Sequence, residues 1–499
     1  MDLPDTKAFY AGGTLDFLKL IGSAAALHGR RVVGGEFLTW MSRDYMTSPH
    51  KIKVHADRFF VSGITQLHYH SMYYQAPEAA YPGFNAWSQP DLPVSFAGSM
   101  TRANPIFDYL RDLNANVARN QLIAQSGRNM ANIGVFHNIW RYPGRALRQE
   151  ETVSGYLGAG DMPPLLGFPP PFEALSPEEQ HISQRVQTSD ALKSAGYDYV
   201  LVNSDSLMRG ELRDGVLHMG DIRMEALVLS NETHLPADLA RRLIVLSNDG
   251  FKVFFVGETP ARHSGFHVSR MNDAVVSNMT EALATREWRA DSPQTLPALL
   301  EAADVAPGLR FQSDQPEMQY IRRQIGDDRF YFIRSSDEEP RNFTGALPCD
   351  ATCAPWHVDL WTGVQTHPPL HHCDDGMVVL SGTLEPFGSM MIRLGPGTEK
   401  RHVANGDLPV TRIGPTLSSK RRRRAPMNSY LGMAIPQRLL PIHCPPSLAL
   451  KTGRCASRHD HPTGRQRRLN SPLRHWPTGA ISLNCAMRRG GRSTQPALR

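Results

Sequence analysis

The sequence predicts an α/β protein in four parts: a partial (β/α) barrel over 1–185, a doubly wound α/β domain over 186–312, a small β-sandwich over 313–398 and a disordered basic tail over 399–499. Three observations carry this reading. Between residues 15 and 70, two helical apolar patterns alternate with two short strands, as in consecutive βα units. From about residue 186, buried-strand runs such as Asp198-Tyr199-Val200-Leu201-Val202 alternate with helical patterns. Beyond residue 316 the period falls to two, and Gly, Pro and Asp clusters separate the runs.

In the first part, Thr14 is placed to cap a helix whose apolar positions Leu15, Leu18, Ile21, Ala25 and Ala26 recur at helical spacing, and Gly29 ends it. Arg31-Val32-Val33 reads as a buried strand leading into Gly34, Gly35 and Glu36. Ser48-Pro49 supplies a cap and a first-turn proline for a second helix with Ile52, Ala56, Phe59 and Phe60 inside and Gly63 at its end. Ile64–Leu67 is the next strand, followed by His68, Tyr69 and His70. Two consecutive βα units place Glu36 and His70 on one rim of a parallel sheet, where an α/β barrel keeps its chemistry. No helix explains Glu36, which makes it the first catalytic candidate.

Between Tyr73 and Trp140 the chain is rich in aromatics and polar groups, and Tyr74 and Trp87 stand in an expected rim loop. Ring faces beside His, Asn and Arg suit sugars, which pack C–H faces on rings and need many hydroxyl partners. An amphipathic loop buried against the barrel reads equally well. Asn104-Pro105 opens a long helix ended by Gly127, and Ile133-Gly134-Val135-Phe136 gives another strand.

In the second part, Pro236 to Asn248 is a helix with Leu239, Leu243 and Leu246 inside, followed by the strand Lys252–Val256. No GxGxxG loop accompanies it, which argues against a nucleotide site. In the third, Tyr331 and Trp361 read as core aromatics or as sugar platforms. Cys349, Cys353 and Cys373 lack metal-ligand spacing and read as loop residues or one local disulfide.

The formal charge of +6 hides an asymmetry. From residue 401 there are 17 Arg and 2 Lys against 2 Asp and no Glu, a balance of +17, which leaves −11 for residues 1 to 400. The tail, with Lys420-Arg421-Arg422-Arg423-Arg424 and eleven prolines, admits three readings: a nucleic-acid or nuclear-import segment, a solvated disordered stretch, or sequence read outside its coding frame. Composition favours the last two, so nucleic acid is not expected as a partner. No apolar run reaches the roughly 20 residues of a membrane span, and the N-terminus lacks a secretory pattern. A soluble chain without an export address is expected, one that begins within a domain.

The ordered set Gly34-Gly35-Glu36-Phe37, the Pro49 to Asp57 helix, Gly63-Ile64-Thr65-Gln66-Leu67-His68-Tyr69-His70, Gln75-Ala76-Pro77, Pro82-Gly83 and Arg119-Asn120-Gln121 resembles the α-L-rhamnosidase family of glycoside hydrolases, family 106, up to about residue 398. The resemblance implies a barrel-type catalytic domain, inverting hydrolysis with two carboxyl groups, a rhamnose-containing substrate, a secreted or periplasmic setting and an association with calcium. It gives Glu36 the role of general base and sets His70 against the sugar. His68, Tyr74, Trp87 and Arg119 are expected as further substrate contacts. Thr65 stands where the family often has asparagine. The family's general acid belongs to an acidic, aromatic motif upstream, and Asp2, Asp5 and Asp16 do not match it. A truncated enzyme with impaired turnover is therefore expected, since losing leaving-group protonation typically removes about 10² to 10⁴ in rate. The alternative is a non-catalytic carbohydrate-binding remnant.

Overall fold

The chain begins with strand β1, Asp5–Lys7, followed by helix α1, Leu15–Leu27, which stops where Gly29 takes a φ of 65° that other residues resist. The computed structural model describes residues 3–7, 15–38, 47–70, 100–102, 104–137, 177–264, 270–284, 288–349, 353–368, 371–374, 376–397, 410–413 and 416–419. Thr14 lies outside them. Strand β2 is Gly34–Phe37, helix α2 is Pro49–Val61, and strand β3 is Gln66–Tyr69. Ser48 caps α2 by accepting the Lys51 N–H at 3.1 Å, as Ser-Pro chemistry predicts.

Strands β1, β2 and β3 lie side by side in that order, all parallel. Both strand boundaries differ from expectation. Gly34 and Gly35 lie inside β2 rather than after it, and β3 starts at Gln66 rather than Ile64. The reason is packing: a Cβ on Gly35 would stand 2.6 Å from the Phe59 ring and 2.7 Å from Ile64, so only glycine lets α2 close on the sheet. Helix α3, Leu110–Ala124, covers the outer edge of β3 with side chains: Gln121 accepts the Leu67 N–H at 2.8 Å and Gln125 donates to the Thr65 carbonyl at 2.8 Å. The described residues thus form three parallel strands backed by helices and no closed barrel.

Beyond α3 come β4, Arg128–Asn129, β5, Ile133–Phe136, α4, Pro177–Ser194, and β6, Tyr199–Val202. Strand β5 joins a five-stranded parallel sheet in the spatial order Arg289–Ala290, Lys252–Val256, Ala226–Ser230, β5, β6. Numbered along the chain, that order is 5-4-3-1-2, a doubly wound sheet that crosses the boundary expected at 185. One face packs Val200, Leu227 and Phe255 against Leu239, Leu243 and Leu246; the other packs Tyr199, Val228 and Phe254 against Leu192, Leu296 and Leu300.

From residue 310 two antiparallel sheets enclose a core that includes Met318, Tyr331, Ile333, Phe343, Leu380 and Ile392. Strand β4 sits at the edge of the six-stranded sheet, paired with Met318–Ile325, while the outer face of that sheet packs on α2 through the Phe60 and Phe332 rings, 6.2 Å apart. A buried bidentate pair ties the sandwich to the α/β sheet: Arg322 Nη2 and Nε meet the Asp198 carboxylate at 2.6 and 2.9 Å. Cys349 and Cys353 form the local disulfide. Residues 1–422 make one compact unit, and residues 423–499 lie outside the described residues. Within the stretch expected to be disordered, Val410–Ile413 pairs antiparallel with Thr416–Ser419. No described helix is long and apolar enough to cross a membrane.

Candidate functional site

Parallel pairing in register puts alternate residues on a common face. Asp5 pairs with Gly34, Gly34 with Gln66 and Glu36 with His68, so Asp5, Glu36, Gln66 and His68 share one face of the three-stranded sheet. Gly35, Phe37, Leu67 and Tyr69 share the other and pack on α2; the Phe37 ring meets Tyr69 edge-on at 4.6 Å and Phe59 at 5.9 Å. One face is thus core and the opposite face is polar.

Glu36 and His70 meet at the C-terminal edge. His70 Nε2 lies 3.7 Å from Glu36 Oε1, and each side chain is 19% exposed. That separation suits electrostatic positioning and is longer than a hydrogen bond. The same sheet face carries a second pair, with His68 Nδ1 3.7 Å from Asp5 Oδ1. Gly34 makes room for it: a Cβ there would stand 2.5 Å from the Asp5 carboxylate and 2.9 Å from the His68 ring. Immediately after β2 the buried Leu38 has a φ of 67°, a left-handed conformation costing roughly 1–2 kcal/mol outside glycine. The chain is held in a strained turn two residues beyond Glu36.

The structure thus brings Glu36, His68 and His70 together. Tyr74 and Trp87 lie outside the described residues. Arg119 is committed elsewhere: its Nη1 donates to the carbonyls of Leu360 at 2.9 Å and Trp361 at 2.8 Å, in a turn of the sandwich. Thr65 is structural too, accepting the Val33 N–H at 2.9 Å and donating to the Arg31 carbonyl at 2.8 Å. Asp57 pairs with Lys53, one helical turn away, while Asp108 and Asp112 are exposed on their helical segment. Asp5 is the site residue that sequence reasoning passed over. Its three-residue strand carries no apolar pattern, and only pairing with β2 reveals its face. Among the described residues no three His, Cys, Asp or Glu side chains stand close enough to hold a metal ion.

Residues 18–140 match the model of the α-L-rhamnosidase family, which bears out the resemblance read from the motifs around Glu36. A rhamnosidase from Novosphingobium sp. PP1Y aligns with a TM-score of 0.58 at 17% identity, over 83% of this chain and 36% of that one. The chain therefore spans about a third of that structure. Beta-galactosidases from G. stearothermophilus (a catalytic mutant) and Bacillus circulans sp. alkalophilus align at TM-scores of 0.44, both at 10% identity, over 77% and 76% of this chain and 56% and 58% of theirs. No curated protein matches the sequence.

Proposed function

We propose that the chain is a rhamnosidase-type glycoside hydrolase whose three-stranded sheet is part of a (β/α) barrel, and that it cleaves rhamnose-containing glycosides or polysaccharides of plant or microbial origin with inversion. The observation that supports this is the meeting of Glu36 and His70 at the C-terminal ends of adjoining parallel strands, 3.7 Å apart and partly open. Glu36 is the base that takes a proton from water; His70 holds the carboxylate in place and faces the sugar.

Inversion needs a second carboxyl group roughly 6.5–9.5 Å from the first, on the leaving-group side. Asp5 lies one strand across and two positions down from Glu36, about 8 Å by ideal sheet spacings. Its side chain is 42% exposed, which leaves it without the enclosure of a dedicated proton donor. Turnover is therefore limited by protonation of the leaving group. Aryl rhamnosides with acidic phenols are cleaved, and alkyl rhamnosides are cleaved slower by about 10²- to 10⁴-fold. Glu36→Gln abolishes both reactions while the melting temperature stays put. Equal rates on the two substrate types, or an active Glu36→Gln variant, would contradict the assignment.

A further inference from the structure

A groove of about 700 Å³ runs between the sandwich and the N-terminal turn of α2. Its volume falls within the roughly 300–1,000 Å³ of small-molecule sites. Its floor is apolar, built from Phe343, Leu380 and Ile392, and its walls carry His50, His357, Thr383 and Glu385. Trp361 lines it as well. Trp361 is 47% exposed, whereas Tyr331, the other aromatic of this domain with a sugar-stacking reading, is 1% exposed and belongs to the core.

The turn that carries Trp361 is fixed from four directions. The Asp359 carboxylate accepts the Trp361 N–H at 2.9 Å and the Thr362 hydroxyl at 2.6 Å. The Asp359 N–H returns to the Val364 carbonyl at 2.9 Å, and Gly363 adopts a φ of 80° that closes the loop. Arg119 pins the carbonyls of Leu360 and Trp361 from α3. An exposed indole on a mobile loop carries little meaning; one on a turn held by this many hydrogen bonds is a preorganised contact surface. On the opposite wall, Phe387 is held at a φ of 51° in a tight turn whose Gly388 N–H meets the Glu385 carbonyl at 2.6 Å. Both walls are rigid.

We propose that this groove is a second, non-catalytic binding site for a neutral oligosaccharide. The chemistry matches in three respects: a rigid ring face for sugar C–H groups, an apolar floor that accepts a deoxy-sugar methyl, and hydroxyl, imidazole and carboxylate groups for ring hydroxyls. Among the described residues that line the groove, Lys53 is the one lysine or arginine, and it is paired with Asp57, which suits a neutral ligand better than an anionic one. The site does not depend on Glu36, while the choice of a rhamnose-containing probe rests on the hydrolase reading.

The test is calorimetric titration of the full chain carrying Glu36→Gln with a linear rhamnose tetrasaccharide, so that nothing is consumed. Adding Trp361→Ala is expected to weaken binding by at least about tenfold, and Trp361→Tyr to restore most of it. In the chain with Glu36 intact, Trp361→Ala leaves cleavage of a small aryl rhamnoside unchanged. Should Trp361→Ala lower the melting temperature, His357→Ala provides the second variant and is expected to weaken binding in the same direction. Undiminished affinity in the Trp361 and His357 variants overturns the proposal. So does a changed oligomeric state with sugar affinity untouched, which would assign the groove to a second copy of the chain.

Discussion

Two histidines show how burial sets the behaviour of single residues. His55 on α2 is buried among Arg58, Lys51 and Arg334, and burial first, then those charges, hold it neutral well below its usual range. His137, at the end of β5, is pushed down to about 2 by burial and then by Arg185. In the unfolded chain both titrate near 6.5. The unfolded state therefore binds more protons below that pH, and the stability contributed by the neutral native imidazoles is complete above about 6.5 and lost as pH falls. For each histidine the slope is at most about 1.4 kcal/mol per pH unit, approached as the pH falls well below 6.5. Denaturant midpoints at pH 7 and pH 5 should differ strongly in the parent chain and less in His55→Gln. An unchanged pH slope in His55→Gln would mean that other groups govern acid sensitivity.

Elements whose cause is local were legible in the sequence. Ser48 followed by Pro49 starts α2 where the residues dictate, and Ser48→Ala should cost about 1 kcal/mol in a denaturation experiment. A loss below about 0.3 kcal/mol would show that packing of Phe59 and Phe60 alone fixes the helix start. Gly63 and Gly127 end their helices with positive φ for similarly local reasons. What depends on distant partners was not legible. Gly34 and Gly35, read as the residues a strand leads into, lie within the strand itself, where Phe59, Ile64, Asp5 and His68 occupy the space a Cβ would need. Arg119 reads as a sugar contact beside Gln121, yet Gln121 closes the edge of β3 and Arg119 reaches a turn more than two hundred residues later. Strand β5 looks like a barrel strand until its partners, Ala226–Ser230 and β6, are known.

Across the molecule, the polar face of β1, β2 and β3 is supported from behind by α2, which is itself wedged against the outer face of the sandwich. The sandwich is tied in turn to the doubly wound sheet by Arg322 and Asp198, where the carboxylate and neighbouring Tyr320 outweigh the burial that alone would disfavour the guanidinium charge and raise its pKa. Near the same junction Lys19 is lowered to about 8 by burial against the pull of Asp198 and Asp16, with its ammonium bonded to the Tyr199 carbonyl at 3.2 Å. The regions thus brace one another around Glu36. The most direct check on a water-activating role for Glu36 is the anomer first released from an aryl α-L-rhamnoside, followed by proton NMR with the parent chain and Glu36→Gln side by side. The parent should release β-L-rhamnose before mutarotation and the variant none; α-L-rhamnose as the first product, or equal release by the variant, would contradict it.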